Sequence, residues 1–260
     1  MVLENVSTSE SKLFKVVPCV CKEQPYVFMK ISAIILAKNE ATRIGKCLQS
    51  LAWTDERIVV DNGSADDTVT IAKKFDSRVI NSEEKSFAGR RNLGLKEAKG
   101  DWILYIDADE IVSEELKKQI VSVIENKQLT NAAYVLRRKN YYLGQLWPLQ
   151  EKIVRLFQKS ALKEWYGDLH ESPRVEGKLG ELSAPLTHDT HRTLEEMVTK
   201  TNEWSKIEAT LRLRRGHPPI VWWRFIRVMA TAFYDSFIRQ SGWRAGPVGW
   251  IESIYQAFSI

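Results

Sequence analysis

The apolar, partly β-branched run ISAIILA at 31–37 limits the possible folds more strongly than any other segment. A continuous apolar run of this length is typical of a strand that is buried on both faces of a parallel sheet. Further short strands are predicted at 57–60, 79–80 and 102–106, with helices at about 38–51, 66–75 and 89–99. Strands that alternate with helices at this spacing predict an α/β fold with a doubly wound, mostly parallel sheet.

Turn and capping residues mark the ends of these helices. Asn39 or Thr42 is a candidate cap for the first helix, and Asp66 or Asp67 for the second. Gly100 follows the third helix, where helices commonly end with a glycine of left-handed backbone conformation, and we expect Gly100 to adopt that conformation.

The composition is that of a folded protein, with 44% hydrophobic and 27% charged residues. The net charge of +5 is local, because residues 206–244 carry eight basic side chains against two acidic ones. The rest of the chain is close to neutral, so the sequence does not indicate a nucleic-acid-binding body.

The cysteines and the N-terminus favour a cytosolic protein. Cys19, Cys21 and Cys47 are too few and too oddly numbered for a disulfide framework, and no histidine lies near them at zinc-finger spacing. The first residues lack the pattern of a secretory signal, and no apolar window reaches the roughly 18 residues that would cross a bilayer.

Polar clusters follow three of the predicted strands, at 39–40, 61–64 and 107–109. In open α/β sheets, ligands bind beyond the carboxyl ends of the strands. We therefore expect these clusters to line one crevice.

The third cluster contains two aspartates, Asp107 and Asp109, separated by one residue at the end of a buried strand. Such carboxylates repel each other unless a cation joins them, and Mg²⁺ or Mn²⁺ with bound diphosphate oxygens is suited to do so. The alternative is that Asp107, Asp109 and Glu110 merely end a strand before a helix capped at Ser113.

Four segments, in this order, resemble the nucleotide-binding half of family-2 glycosyltransferases, which have the GT-A fold: IILAKNE, VVDNGSADDT, AGRRNLG and DWILYIDADE. The details of the first, third and fourth are most similar to bacterial lipopolysaccharide-core glucosyltransferases. The resemblance covers about residues 31–111 strongly and extends weakly to the C-terminus.

The resemblance implies roles in holding a nucleotide-diphosphate sugar, with a uracil-type base as the expected nucleobase. Ala37 and Glu40 would border the base and ribose, and Asp61 would accept a hydrogen bond from the base. Arg91 would approach the diphosphate. Asp107 would meet the ribose or the metal, and Asp109 the metal directly. The alternative for Asp61 is an aspartate that only forms a turn. The alternative for Arg91 is a solvent-exposed arginine on a helix.

Inverting transfer needs a base that takes the proton of the acceptor hydroxyl. The segment WYGDLHESP offers Glu171 as the candidate, with Asp168 in reserve, since related sequences carry a His-Glu pair at a comparable place. The alternative is a loop with solvated acidic residues. GT-A enzymes often add a histidine to the metal, for which His188 is the first candidate and His191 the second.

The segment from Ile220 to Arg239 is predicted to be an amphipathic helix. Its aromatic stripe, nearby arginines and tryptophans suit the headgroup boundary of an anionic membrane, where the helix would lie in the plane. We therefore expect a peripheral protein on the inner face of the cytoplasmic membrane. Its acceptor would be a lipid-linked molecule or another cell-envelope glycan. The alternative is a core helix.

Three parts are expected along the chain: a poorly ordered extension over 1–28, a GT-A catalytic domain over 29–215 and a helical segment over 216–260. The domain would divide into a nucleotide-binding half, 29–111, and an acceptor-side half, 112–215.

Two other functions remain open at this point. A catalytically silent nucleotide-sugar-binding module would keep the same pocket. A dinucleotide-dependent oxidoreductase is disfavoured, because AKNEATRIG has one glycine where that fingerprint needs three.

Overall fold

A computed structural model describes residues 29–126, 130–167, 171–190, 192–214 and 221–259. The predicted extension over 1–28 lies outside these residues, as does the predicted boundary at 215–216. Those two domain assignments stay predictions.

The first half of the described chain alternates strands and helices as predicted. Its elements are β1 (Ile31–Ala37), α1 (Ile44–Ser50), β2 (Glu56–Asp61), α2 (Thr68–Lys74), β3 (Arg78–Asn81), α3 (Phe87–Glu97) and β4 (Trp102–Asp107). The four strands are parallel and lie in the order β3-β2-β1-β4. Every residue of β1 is buried, because helices cover both faces of a central parallel strand.

The second half adds strands of mixed direction to the same sheet. Its elements are β5 (Glu110–Val112), α4 (Glu114–Glu125), β6 (Asn131–Tyr142), β7 (Gln145–Leu146), β8 (Glu151–Gln158), β9 (Leu162–Tyr166), β10 (Ser172–Val175) and β11 (Lys178–Asp189). Beyond β4 the order continues β8-β6-β11-β5, and β7 pairs with β6. Strands β9 and β10 form a separate antiparallel pair. The predicted α/β architecture, with a doubly wound, mostly parallel central sheet, is confirmed.

Apolar residues pack on both faces of the sheet. One cluster joins β1 and β4 to α1 and α4, and includes Leu48, Leu104 and Leu116. The other lies beneath α3 and the β9–β10 hairpin, and includes Ile34 and Phe157. The central sheet is therefore supported by packed side chains on both of its faces.

Helix α1 is shorter than predicted, and the expectation that Asn39 or Thr42 caps it is wrong. Arg43 precedes the helix and makes no side-chain cap. Asn39 has a left-handed φ of 55°; its Oδ1 accepts from the Ala65 amide at 2.8 Å, and its own amide donates to Ser64 Oγ at 2.9 Å. Asn39 thus joins the loops after β1 and β2.

Two further helix ends differ in how far they match the prediction. Asp66 Oδ1 accepts from the Thr68 amide at 3.0 Å at the start of α2, whereas Asp67 makes no side-chain cap. Gly100 was expected to be left-handed and is not. Glycine is required there because a Cβ would lie 2.6 Å from the Ser32 backbone nitrogen.

The C-terminal part is helical, as predicted. It consists of α5 (Leu194–Arg214), α6 (Trp222–Tyr234), a π-helical turn (Asp235–Arg239), a 3-10 turn (Gly242–Ala245) and α7 (Gly246–Phe258). Trp147, from the loop between β7 and β8, packs against Gly242 and donates from Nε1 to Gln240 Oε1 at 3.2 Å. None of the helices within the described ranges is long and apolar enough to cross a membrane.

Candidate active site

The three polar clusters meet at one end of the sheet, as expected. Ala37 lies beside Asp61 in the register of β1 and β2, and Leu36 lies beside Asp107 in the register of β1 and β4. Asp61 and Asp107 therefore flank the carboxyl end of β1. This is the position at which an open parallel sheet binds its ligands.

Asp61 is buried, and its carboxylate holds its own turn together. Its Oδ2 accepts from the Gly63 and Ser64 amides at 3.0 Å each, and its Oδ1 accepts from Ser64 Oγ at 2.5 Å. The turn-forming alternative for Asp61 is thus present in the structure. Recognition of a nucleobase by the same carboxylate stays a prediction.

Glu40 lies on the loop after β1, on the same side of the sheet. Its amide donates to Thr68 Oγ1 at 2.8 Å, and its carboxylate forms an ion pair with Arg43. Arg43 also faces Glu196 of α5 at 3.8 Å. Glu40 and Ala37 therefore lie at the carboxyl end of β1, while their contact with a nucleotide stays a prediction.

Asp107 is joined to two arginines. Arg91 Nη2 lies 3.1 Å from its Oδ1, and Arg155 Nη2 lies 2.6 Å from its Oδ2. Burial by itself would raise the pKa of Asp107, but the guanidinium groups of Arg155, Arg91 and Arg138 outweigh it and hold the pKa well below its usual range. Asp107 is therefore a carboxylate at neutral pH without any metal beside it.

The negative charge of Asp107 is offset by arginines. The sequence suggested that a divalent ion was needed to offset two adjacent carboxylates. For Asp107, the offset comes from Arg91 and Arg155, which come from α3 and β8. The charge of Asp107 alone is thus no reason to require a metal.

Asp109 lies beside His188, the histidine predicted to join it. His188 Nε2 is 3.4 Å from Asp109 Oδ2, and both side chains are largely buried. On the other side of the ring, Nδ1 lies 2.8 Å from Asn140 Oδ1, so one ring nitrogen faces Asn140 and the other faces Asp109. Within the described ranges, no group of three or more His, Cys, Asp or Glu side chains is arranged to hold a metal ion.

Glu171, the predicted base, is connected to Asp107 through Arg91. Arg91 Nε lies 3.1 Å from Glu171 Oε1, so one guanidinium bridges a residue at the end of β4 and a residue just before β10. The solvated-loop alternative does not describe Glu171, whose side chain is 18% exposed. The reserve base Asp168 and the second histidine His191 both lie outside the described residues.

Arg91 is not the solvated arginine of the alternative interpretation, because it is only 2% exposed. Its guanidinium carbon lies 4.9 Å from the centre of the Trp165 ring and 5.5 Å from that of Tyr105. Its third nitrogen, Nη1, is buried without a hydrogen-bond partner in the part of the chain that is described. A buried N–H without a partner is costly, so this atom is suited to an anionic ligand.

Glu110, which the sequence placed only in the alternative of a strand end, belongs to the same group of buried charges. It is fully buried, accepts from the Asp107 amide at 2.9 Å, and pairs with Arg138 at 3.0 Å and Arg155 at 3.6 Å. Burial would lower the pKa of Arg138, but the carboxylates of Glu110 and Glu151 raise it above its usual range.

Charges thus alternate across the site: Glu171, Arg91, Asp107, Arg155, Glu110, Arg138, Glu151. The sequence held one signal for the unpredicted part of this network. Arg155 interrupts the apolar pattern of KIVRLFQ at a buried position of β8. A buried arginine in a strand needs an anionic partner, although the sequence does not say which one.

Comparison with protein families gives a match to the model described as glycosyl transferase family 2 over residues 32–174. The matched segment runs from β1 through β10 and contains Asp61, Arg91, Asp107, Asp109 and Glu171. His188 and the C-terminal helices lie outside it.

Relatives resemble this chain over most of its length. An uncharacterized glycosyltransferase of Rickettsia prowazekii is 31% identical and aligns with 88% of this chain and 84% of its own. The lipopolysaccharide core biosynthesis glycosyltransferase LpsC of Rhizobium meliloti is 25% identical and covers 87% of each chain. The resemblance identified from the four sequence segments is confirmed.

The predicted GT-A type of fold is confirmed by its likeness to a solved structure. The crystal structure of S. aureus TarS in complex with UDP-GlcNAc superimposes with a TM-score of 0.50 at 17% identity, covering 86% of this chain and 79% of that one. At this identity the likeness concerns the fold alone.

Proposed function

Because the chain belongs to glycosyltransferase family 2, we propose that it is an inverting transferase that moves a sugar from a nucleotide-diphosphate sugar, with UDP as the nucleotide, to a cell-envelope glycan or lipid-linked acceptor. The observation that carries this proposal is the position of Arg91. It joins Asp107, at the donor end of the sheet, to Glu171, on the acceptor-side hairpin. A transferase needs donor and acceptor groups within one small site, and this contact supports such an arrangement.

The donor diphosphate is assigned to the Arg91 end of the crevice. The guanidinium is fixed by two carboxylates and two rings, and Nη1 is left for another acceptor. A diphosphate oxygen is a strong acceptor for such an N–H. Ala37, Glu40 and Asp61 would then border the nucleoside at the neighbouring strands. The UDP-GlcNAc in the TarS structure is consistent with this choice.

A divalent ion is assigned to Asp109 and His188, with Asp107 beside them. The chemistry of the donor set fits a metal that binds diphosphate: Asp109 would supply a carboxylate oxygen and His188 an imidazole nitrogen, and diphosphate oxygens would supply further ligands. Mn²⁺ or Mg²⁺ bound there would neutralise charge on the departing diphosphate. Because Asp107 already binds two arginines, we assign direct ligation to Asp109 first.

Glu171 is assigned as the base. Its carboxylate would take the proton of the acceptor hydroxyl as that oxygen bonds to the anomeric carbon and the bond to the diphosphate oxygen breaks. Arg91 holds Oε1 of Glu171, which orients the carboxylate. Arg91 would also lie near the leaving diphosphate, so it would balance negative charge on both sides of the transfer.

The acceptor is assigned to the cell envelope for two reasons. LpsC, which aligns with most of this chain, is described as a lipopolysaccharide core biosynthesis enzyme. In addition, the C-terminal helices expose a large apolar surface, which we define as the aromatic surface: Trp222, Trp223, Phe225, Ile226, Trp243, Trp250, Ile254 and Phe258. So many exposed aromatic and aliphatic side chains on neighbouring helices are unusual for a monomeric soluble protein without a partner.

Helix α6 supplies the first part of the aromatic surface, and no residue along it is buried. The core-helix alternative is therefore not favoured. Arg224, Arg227 and Arg244 lie on or beside this surface. Aromatic rings with arginines suit peripheral binding at an anionic membrane, and we assign the protein to the inner face of the cytoplasmic membrane.

A screen of nucleotide sugars tests the proposed function. UDP-sugars and other nucleotide sugars are incubated with the protein, Mn²⁺ or Mg²⁺ and membrane glycolipid, and release of the nucleoside diphosphate is measured. We expect release with a UDP-sugar and a divalent ion. Stabilisation against heat by nicotinamide dinucleotide but not by UDP would contradict the proposal, as would UDP binding without turnover of any donor.

A further inference from the structure

The AGRRNLG segment on α3 has a function that the proposed reaction leaves unassigned. Arg91 and Asn92 are consecutive, and both contact the small β9–β10 hairpin, which is a separate sheet from the central one. Arg91 binds Glu171, just before β10, whereas Asn92 binds Trp165 in β9. The hairpin that presents the proposed base is thus attached to α3 at two points.

The Asn92 contact is a pair of hydrogen bonds to the backbone. Asn92 Nδ2 donates to the Trp165 carbonyl at 2.8 Å, and Asn92 Oδ1 accepts from the Trp165 amide at 2.7 Å. Pro173 lies opposite Trp165 in the hairpin register and has no N–H to donate. Trp165 and Pro173 thus form a pair that exchanges no backbone hydrogen bonds, and in antiparallel geometry the N–H and C=O of Trp165 then both point away from β10. The Asn92 amide takes the place of a neighbouring strand on that side.

Trp165 also packs against the Arg91 guanidinium. Trp165 is 5% exposed, and its ring lies under the Arg91 guanidinium at 4.9 Å. Moving the Trp165 backbone would move that ring and, through the hairpin, Glu171.

Helix α3 is itself fixed to the donor side of the molecule. A Cβ on Gly94 would lie 2.5 Å from Ile34 Cγ2, so the glycine brings α3 into close contact with β1. Helix α3 thus connects two parts of the molecule. Gly94 contacts β1, while Arg91 and Asn92 contact the β9–β10 hairpin.

We infer that Asn92 is a positioning residue that holds the β9–β10 hairpin, and with it Glu171, in register with the donor end of the sheet. The inference rests on the proposed function, since it assigns Asn92 to the transfer step. Asn92 does not touch the reacting atoms. It acts through the Trp165 backbone, and its loss should change turnover more than donor affinity.

The test compares Asn92→Ala with the wild-type full chain. Alanine is the strongest helix former, so a loss of activity cannot come from weaker helix propensity in α3. Three quantities are measured: hydrogen exchange of the Trp165 amide, the Kd for UDP, and kcat with the acceptor. We expect faster exchange, a Kd within about 2-fold of the wild type, and kcat lower by about 10-fold or more, because displacement of a reacting group is costly.

Two other variants define the controls. Asn92→Asp keeps the acceptor for the Trp165 amide and loses the donor, so kcat should lie between those of the wild type and Asn92→Ala; it also serves if the alanine variant does not fold. Lys96→Ala changes an exposed residue on the same helix and should leave all three quantities unchanged.

The outcomes separate the two proposals. Unchanged kcat in Asn92→Ala despite faster Trp165 exchange would overturn the inference alone, as would an equal loss of UDP affinity and kcat, which indicates general damage to the site. A wild-type protein that turns over no donor would overturn the proposed function and, with it, the inference.

Discussion

Arg155 Nη2 lies 2.6 Å from Asp107 Oδ2, with both residues placed by strands of the central sheet. Arg155 comes from β8, which runs antiparallel to β4, the strand that ends at Asp107. The pair therefore forms only when the two halves of the sheet have joined. It links the correct assembly of the fold to the charge of the site.

Arg155→Met tests this link through stability. The substitution leaves Asp107 and Glu110 with one fewer cation at largely buried positions, and loss of one partner of a buried ion pair should lower the free energy of unfolding by about 3 kcal/mol. Urea unfolding measures the change. The matched control is Arg137→Met, whose arginine pairs with Glu181 on the surface of the same sheet and should cost far less. Equal losses in the two variants would contradict the role of burial.

Asp109→Ala tests the metal assignment. Asp109 is the first carboxylate assigned to the ion, so the variant should lose metal-dependent transfer while unfolding at nearly the same urea concentration as the wild type. His188→Ala should retain transfer but need more Mn²⁺, since one ligand of the ion is removed. Titration of activity with Mn²⁺ measures both effects. Transfer that is unchanged in Asp109→Ala, or that needs no divalent ion in the wild type, would refute the assignment.

Glu171→Gln tests the base. The amide keeps the size of the side chain and can still accept from Arg91, but it cannot take the acceptor proton. We expect kcat to fall by about 100-fold or more, with a nearly unchanged Kd for UDP measured by calorimetry. Glu176→Gln is the control, since Glu176 follows the same hairpin and pairs with Lys163 at the surface. If turnover survives in Glu171→Gln, Asp168 or another residue is the base.

Trp222→Glu together with Phe225→Glu tests the aromatic surface. Both side chains are exposed, so the double variant should fold, yet it places negative charge where anionic lipid would lie. Sedimentation with vesicles that contain anionic lipid should show strong binding by the wild type and little binding by the variant. Lys96→Glu changes charge elsewhere on the surface and should bind as the wild type does, apart from a small electrostatic loss. Wild-type protein that stays in the supernatant at low salt would contradict the membrane assignment.

Residues at strand ends could be predicted from the sequence, whereas residues that bond to distant segments could not. Asp61, Asp107 and Asp109 were placed at one end of the sheet because strand periodicity fixes where each parallel strand ends. The prediction that Asn39 or Thr42 caps α1 was wrong, since the helix begins after Arg43. The Asn39 side chain instead accepts a hydrogen bond from another loop, 26 residues away along the chain. The left-handed Gly100 was wrong because contact with Ser32, and not backbone conformation, selects glycine there.

The order of the strands and helices in the first half, and the carboxylates at the strand ends, can be predicted from the amino-acid sequence because they follow from local apolar periodicity and from turns. Which charges pair depends on the three-dimensional arrangement of the strands. Asp107 meets Arg155 across 48 residues, and Arg91 meets Glu171 across 80 residues. A buried charge requires a partner, but its identity depends on which strands become neighbours and in which register, and no local pattern carries that information.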